Sequence, residues 1–186
     1  MEQNAPVAEA SGGSYLFLSQ EWIHEVARTI QTTRQTDEQF GKLAEGFSIG
    51  LMYVITEPPP VLKDRYKGSR LTFFVRLEKG VVRKLEIGTQ PPLEKKDFTL
   101  TSTYEVAKQF FLGERNPANS YISGQLKIEP LSRVYRSPAF TAKAIVTGNM
   151  MLKIARQVPT EFAPDGPATA AAAEGQRDTE KAKVRG

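Results

Sequence analysis

The sequence predicts an α/β (α+β) fold, in which helices cover one face of a five-stranded, mainly antiparallel sheet. Three observations support this prediction. Five short segments alternate apolar and polar residues with a period of two, which is typical of strands. Three longer segments place apolar residues on one side of a helix. Short turns join consecutive strands, which favours antiparallel pairing with one face packed on a core.

Composition limits the class of protein. The chain of 186 residues is long enough for one domain with tails and a sizeable hydrophobic core. It contains no cysteine, which excludes disulfides and thiolate chemistry and fits a reducing compartment, so we expect a cytoplasmic protein. The N-terminal segment lacks the features of a secretory signal, and no apolar run approaches the roughly 20 residues of a membrane span.

The charge pattern argues against a nucleic-acid partner. The net charge is +4, and basic residues are mixed with acidic ones along the chain. This pattern is typical of a solvated surface rather than of a surface that binds nucleic acid. We therefore expect no nucleic-acid partner and at most a transient contact with a membrane surface.

An N-terminal arm precedes the first predicted helix and strand. Residues 1–14 are polar and rich in small side chains, which predicts a disordered arm. Ser19 has the position of a helix cap, and its helix is predicted to run to about Arg34. After a polar connector, the segment 47–55 alternates as a strand does. Within that strand, Gly50 would permit a bend or the close approach of a ligand.

A hairpin is predicted next. Residues 71–77 and 81–87 are rich in side chains that favour strands, and they flank a turn that contains Gly80. The preceding residues, 61–70, are basic and polar, which predicts a surface loop. Residues 88–96 include two prolines and form the crossover to the middle of the chain.

The middle of the chain is predicted to form a strand, a capped helix and a further strand. The two strands, at residues 98–101 and 125–128, both alternate with a period of two. Ser102 and Glu105 have the spacing of a capping box, in which each side chain satisfies a backbone N–H at the helix start. Gly113 can adopt the left-handed conformation that ends such a helix.

The last predicted helix spans residues 139–157. Its apolar arc is wider than a helix that covers a sheet requires. A proline ends this helix, and residues 159–186 are predicted to be a disordered tail because they contain almost no large apolar side chain. The predicted domain therefore occupies residues 15–158.

The element order and several motifs resemble a known family. The motifs are Thr101-Ser102, Gly113, Tyr121, Gly124 and the run Leu126-Lys127-Ile128. Together they resemble the sterol-binding domain of sterol carrier protein 2 (SCP2), over roughly residues 17–156. The chain departs from the family pattern at Glu129-Pro130 and in the insert 131–138, where the family often has a glycine shortly after Leu-Lys-Ile. The resemblance implies a stand-alone, SCP2-like domain.

A search for catalytic motifs finds almost nothing. The sequence has no glycine-rich phosphate loop, no Gly-x-Ser-x-Gly elbow and no set of Cys and His residues that would bind a metal. The single histidine, His24, has no paired nucleophile and is predicted to be a surface residue. We therefore expect no enzyme activity and no cofactor.

The family resemblance implies an apolar tunnel between sheet and helices, with the last helix as its lid. Such a tunnel holds a sterol, a fatty acid or a fatty acyl-CoA without a covalent bond. Each buried CH₂ group of a ligand contributes roughly 0.8 kcal/mol, so a long chain binds well with little polar recognition. By position, eight residues are candidates for ligand contact: Phe110, Phe111, Leu126, Ile128, Phe140, Met150, Met151 and Ile154. Core packing is the alternative role for each of them.

Two other functions stay open at this point. The helix at 139–157 is also suited to the interface of a homodimer, or of an accessory subunit of a lipid-metabolising enzyme, because an exposed apolar arc serves a partner as well as a ligand. An enzyme that acts on acyl thioesters is the third class, and it requires a buried Asp, Tyr or Lys beside the cavity. The sequence does not identify the ligand.

Overall fold

The fold consists of a five-stranded sheet, a two-stranded sheet and seven helices. The computed structural model describes residues 13–164, and these counts refer to that range. The strands are β1 (Tyr15–Leu16), β2 (Ile49–Thr56), β3 (Arg70–Glu78), β4 (Val81–Gly88), β5 (Phe98–Thr103), β6 (Lys127–Glu129) and β7 (Thr160–Glu161). The helices are α1 (Gln20–Thr36), α2 (Glu38–Ala44), α3 (Pro60–Tyr66), α4 (Tyr104–Leu112), α5 (Pro117–Ile122), α6 (Leu131–Arg136) and α7 (Pro138–Ala155).

The five-stranded sheet is mixed and has the strand order β4-β3-β2-β5-β6. Three of its four pairings are antiparallel, and β2 pairs with β5 in parallel. The predicted α/β fold with a mainly antiparallel, five-stranded sheet is confirmed, and the parallel pairing is an addition to it. Strands β4 and β5 run in the same direction. The chain between them must therefore return across the sheet before β5 can pair in parallel with β2.

One face of the sheet, called the inner face, packs against the main core. Its buried apolar strand residues are Ile49, Ile55, Leu71, Val75, Leu77, Val82, Ile87 and Phe98, which share one core with apolar side chains of α1, α4 and α7. Helix α1 starts as predicted, because the Ser19 hydroxyl accepts a hydrogen bond from the Trp22 backbone N–H at 3.1 Å. These helices form the helical layer on the inner face. Within it, α7 packs against α1, α2, α4 and α6.

The return segment between β4 and β5, residues 89–97, lies against the opposite face, called the outer face. The Asp97 backbone N–H donates to the Gly50 carbonyl at 2.6 Å, and the Asp97 carboxylate accepts from the Gly50 N–H at 2.7 Å. A Cβ atom at Gly50 would lie 2.5 Å from the Lys95 carbonyl oxygen. The glycine therefore admits the chain's own backbone, and the predicted approach of a ligand at this position is wrong.

The start of α4 corrects a second prediction. Ser102 does not cap the helix but is a buried residue of β5, at the register of Ile55 on the inner face. The cap is Thr103, whose side-chain oxygen accepts a hydrogen bond from the Val106 N–H at 3.3 Å. The helix ends as predicted, with Gly113 in the left-handed region at a φ of 81°.

Four short helices were not predicted from the sequence. Helices α2, α3, α5 and α6 contain six or seven residues each, too few for a clear helical period. Helix α3 lies in the predicted loop 61–70, and α6 lies in the insert 131–138. Strand β6 begins at Lys127, two residues later than predicted, and Leu126 precedes it.

The domain extends further towards the C-terminus than the sequence predicted. Strand β7 pairs in parallel with β1, and the Trp22 indole N–H donates to the Thr160 hydroxyl at 2.9 Å. Ala163 is buried as well. Residues 159–164 are therefore part of the domain. The remainder of the predicted arm and tail, residues 1–12 and 165–186, lies outside the described residues.

Replacing Gly50 by alanine tests the packing of the return segment on the outer face. Because the new methyl group would overlap the Lys95 carbonyl, Gly50→Ala should lower the free energy of unfolding by roughly 1–3 kcal/mol. Gly88→Ala is the matched control, since Gly88 is also a sheet glycine and a Cβ there meets no atom within 4 Å. Urea denaturation measures both. Equal stabilities for the two variants would contradict the close approach.

Candidate functional site

Several apolar side chains on the inner face are incompletely covered. Four of them, Phe73, Tyr53, Leu100 and Ile128, keep part of their surface accessible. Their neighbours along the same face, such as Ile55 and Leu71, are buried in the main core. The helical layer therefore covers this strip of the inner face less completely than the positions beside it, and the incompletely covered strip is called the gap.

The four residues form a continuous row across four strands. Tyr53 of β2 is paired with Phe73 of β3 on one side and with Leu100 of β5 on the other. Leu100 is paired in turn with Ile128 of β6. This set, called the inner row, runs from the centre of the sheet to its β6 edge. Since neighbouring strands are about 4.8 Å apart, the row is roughly 14 Å long.

The inner row ends at a concavity on the β6 edge that is open to solvent. Its volume is about 590 Å³, and its lining consists of Tyr121, Gly124, Leu126, Lys127, Ile128, Glu129, Pro130 and Leu131. Ile128 belongs both to the inner row and to this lining. The concavity therefore lies at the β6 end of the inner row, bounded by the turn after α5 and the first residue of α6, and it is called the opening.

Helices α4 and α7 contribute apolar side chains to the helical layer on the inner face. Val106 and Phe110 of α4 are buried with Leu126 in a small cluster, against which Tyr53, Leu100 and Ile128 pack. On the other side, α7 contributes partly buried side chains that pack against the main core: Phe140, Ala144, Met150 and Met151. The α4 groups thus contact the inner row, and the α7 groups pack on the main core and are less completely covered.

The structure groups only some of the eight predicted ligand residues. Phe110, Leu126 and Ile128 share the small cluster beside the concavity. Phe140, Met150 and Met151 lie on α7 as partly buried contacts of the main core. Phe111 and Ile154 are buried in that core, and Phe111 packs edge-on against Trp22 at a centroid distance of 5.4 Å. Ligand contact by the first six residues stays a prediction, whereas Phe111 and Ile154 have core-packing roles in this structure.

Four residues in or beside the inner row were not among the predicted ligand contacts. Phe73, Tyr53 and Leu100 belong to predicted strands, and Val106 precedes Phe110 by one helical turn. The alternation in both strands already predicted that Leu100 and Tyr53 share a face with core residues. What the sequence lacked was the parallel β2–β5 pairing, which places these two side chains side by side.

A polar pair interrupts the apolar surface of the inner row. The hydroxyl groups of Tyr53 and Ser102 lie 2.6 Å apart, and the Ser102 hydroxyl also donates to the Thr103 carbonyl at 3.0 Å. The Ser102 hydroxyl therefore accepts the hydrogen bond from the Tyr53 hydroxyl, and the Tyr53 oxygen keeps lone pairs that can accept from a further donor. Burial raises the pKa of Tyr53 to about 12, so this group is a neutral hydrogen-bonding group at neutral pH.

An ion pair holds α6 at the opening. Arg133 lies 2.6 Å from the second carboxylate oxygen of Asp97, the residue that is also bonded to Gly50. The Arg133 guanidinium is also 5.3 Å from the centroid of the Phe140 ring. The insert that departs from the family pattern is thereby fixed to both the sheet and α7, rather than being an extended surface loop.

Two kinds of site are not found in the described part of the chain. Residues 13–164 contain no group of three or more His, Cys, Asp and Glu side chains arranged to hold a metal ion. In the same range, no helix has the length and apolar character needed to cross a bilayer.

The buried hydroxyl of Tyr53 makes the stability dependent on alkaline pH. Burial raises its pKa from 10.0 to about 12, so the folded chain retains a proton that the unfolded chain releases in this window. The contribution is complete below pH 10 and is lost as the pH rises towards 12, by roughly 1.4 kcal/mol per pH unit. Tyr53→Phe should therefore show a shallower loss of stability over this range.

Urea denaturation below pH 10 and again at about pH 11 measures this difference. Burial also raises the pKa of Tyr66 to about 12, so Tyr66→Phe shows how much of the remaining decline belongs to that residue. Identical pH profiles for the parent and Tyr53→Phe would show that the Tyr53 hydroxyl is not enclosed.

Comparison with known proteins identifies the fold. No protein-family model matches the sequence, and no curated protein matches it significantly. The structure is similar to the crystal structure of sterol carrier protein 2, with a TM-score of 0.56 and 16% identity, over 76% of this chain and 98% of that chain. It is also similar to the solution structure of a conserved hypothetical protein from Thermus thermophilus, suggested to be a sterol carrier protein. There the TM-score is 0.58 and the identity 19%, over 82% of this chain and 96% of that chain. The chain therefore has the fold of sterol carrier protein 2, as the sequence motifs predicted.

Proposed function

We propose that this protein binds the apolar part of a lipid between the inner face of its sheet and α7, and carries it without chemical change. The observation that supports this most strongly is the inner row. Its side chains are apolar, point into the helical layer and remain accessible. An accessible apolar surface inside a protein is a favourable place for an apolar ligand, because binding removes both surfaces from water.

The dimensions of the inner row suit a long aliphatic or fused-ring ligand. A row of roughly 14 Å gives contact to many CH₂ groups, each worth roughly 0.8 kcal/mol when buried. The methionines of α7, Met150 and Met151, have flexible side chains that adapt to different shapes. We propose a fatty acid, a fatty acyl-CoA or a sterol-like molecule as the ligand. One of the similar solved structures is sterol carrier protein 2, which supports a lipid of this class.

The distribution of polar groups suggests how such a ligand is oriented. The concavity at the β6 edge contains the charged residues Lys127 and Glu129, whereas the inner row carries only the Tyr53–Ser102 pair. A charged headgroup would lose much of its hydration over the inner row and would keep it at the opening. We therefore place the tail of the ligand over the row and its headgroup at the β6 edge.

Carriage is a better interpretation than catalysis on acyl thioesters. Tyr53 is a buried tyrosine beside the gap, which is one of the features that such an enzyme would need. Its hydroxyl is bonded to the Ser102 hydroxyl, and its high pKa makes it a neutral group that does not supply a base near pH 7. A hydrogen bond from a ligand hydroxyl or carboxyl group is the role that this geometry supports.

Native mass spectrometry of the purified full chain, with extraction of bound lipids, is the first test. We expect a monomer near 20.7 kDa that retains up to one fatty acid, acyl-CoA or sterol-like molecule, or takes up added oleate. The spectrum also tests a second candidate function. Ile145 and Val146 of α7 are each about half exposed, which favours an interface through this helix. A stable dimer without lipid uptake would support that interface and contradict carriage.

A charge at the opening should weaken lipid binding. Ile128→Lys places an ammonium group where the inner row meets the concavity, and we expect oleate affinity to fall by about tenfold or more. Ile122→Lys is the matched control, because it makes the same chemical change at a side chain that is 82% exposed and outside the lining. Circular dichroism confirms folding, and fluorescence titration measures affinity. Equal affinities for the two variants would place the ligand elsewhere.

A further inference from the structure

Helix α6 exposes apolar side chains beside the opening of the gap. Leu131 and Tyr135 are four residues apart, hence on one side of the helix, and they are 42% and 71% exposed. Val134, on another side, packs against the main core. We propose that α6 is a docking surface for anionic lipid bilayers. This inference rests on the proposed function only for the choice of lipid as the partner.

The charge around α6 complements an anionic surface. Residues 127–143 contain four basic residues and one acidic residue, and Asp97 pairs with one of these basic residues, Arg133, so the local net charge is +2 of the +4 that the whole chain of 186 residues carries. Half of the net positive charge is therefore concentrated around α6. Arg136 is exposed and has no ion pair within residues 13–164. A basic residue near an anionic bilayer contributes about 1 kcal/mol of attraction.

The fixed position of α6 favours docking as a preformed surface. The ion pair of Arg133 with Asp97 and its contact with Phe140 hold the inner side of the helix. Tyr135 neighbours Tyr121, which lines the concavity. Leu131 lines the concavity too. A bilayer that receives Leu131 and Tyr135 would therefore lie directly at the opening, where a lipid tail can pass between the bilayer and the inner row.

The size and chemistry of the exposed group fit a bilayer better than a protein partner. A specific protein interface usually buries at least about 1,000 Å², far more than two side chains provide. Interfacial helices instead insert a few apolar side chains to the depth of the headgroups, with basic residues beside them. Tyrosine is also enriched at the boundary between water and lipid. These features together select the lipid surface as the occupant.

Vesicle co-sedimentation of the full chain tests the proposal. We expect binding to vesicles of equal parts phosphatidylcholine and phosphatidylserine, weaker binding to phosphatidylcholine alone, and loss of binding as salt is raised. Arg136→Glu and Leu131→Gln should each reduce affinity for the mixed vesicles by about fivefold or more. No binding to mixed vesicles, or binding that is equal for both compositions, would overturn the proposal.

Matched controls separate docking from general effects of charge and apolarity. Lys63→Glu makes a comparable charge reversal on α3, and Leu93→Gln removes a fully exposed leucine on the return segment. Both controls should bind mixed vesicles as the parent does. Losses equal to those of the α6 variants would overturn the assignment to α6. A parent dimer that Leu131→Gln dissociates, with no vesicle binding, would identify a protein interface and overturn the proposal as well.

Oleate uptake without vesicles distinguishes this proposal from the proposed function. Arg136 does not line the concavity, so Arg136→Glu should take up oleate with the affinity of the parent while it loses vesicle binding. A parent that binds mixed vesicles but takes up no lipid would contradict carriage and leave docking supported. A parent that takes up oleate but binds no vesicles would contradict docking alone.

Discussion

The carboxylate of Asp97 joins three parts of the molecule. One oxygen accepts the Gly50 backbone N–H at 2.7 Å, and the other is 2.6 Å from the Arg133 guanidinium. The first contact holds the return segment on the outer face, so that β5 enters the sheet parallel to β2. The second contact attaches α6 to the same point. Burial of a charge is unfavourable unless partners satisfy it, and here both oxygens are satisfied.

The inner row and its opening follow from this arrangement. The parallel pairing of β2 with β5 places Tyr53 beside Leu100, and the antiparallel β6 continues the row with Ile128. The attachment of α6 brings the start of α7 over the same edge, where Phe140 packs on Phe98 at a centroid distance of 6.1 Å. Several side chains of α7 remain only partly buried in this arrangement, and the proposed carriage of a lipid relies on them.

Local patterns in the sequence predict much of this fold, and long-range pairings account for what they miss. The period of two locates all five sheet strands, and the caps at Ser19 and Gly113 are correct. The spacing between Ser102 and Glu105 predicts a helix cap at Ser102. In the structure Ser102 is paired with Ile55 of β2, which encloses the Ser102 hydroxyl in the sheet. Phe111 was predicted as a ligand contact from its position on the helix. In the structure it packs against Trp22, and the sequence does not show this contact.

Methyl NMR of the chain labelled at its methionines would test the location of the lipid most directly. Met150 and Met151 are partly buried on α7, the helix that we propose covers the ligand, whereas Met52 is buried on the outer face, opposite Phe74. If oleate binds over the inner row, the resonances of Met150 and Met151 should shift on its addition, and that of Met52 should stay in place. Saturable binding that shifts Met52 and leaves both α7 methionines unchanged would contradict the central claim.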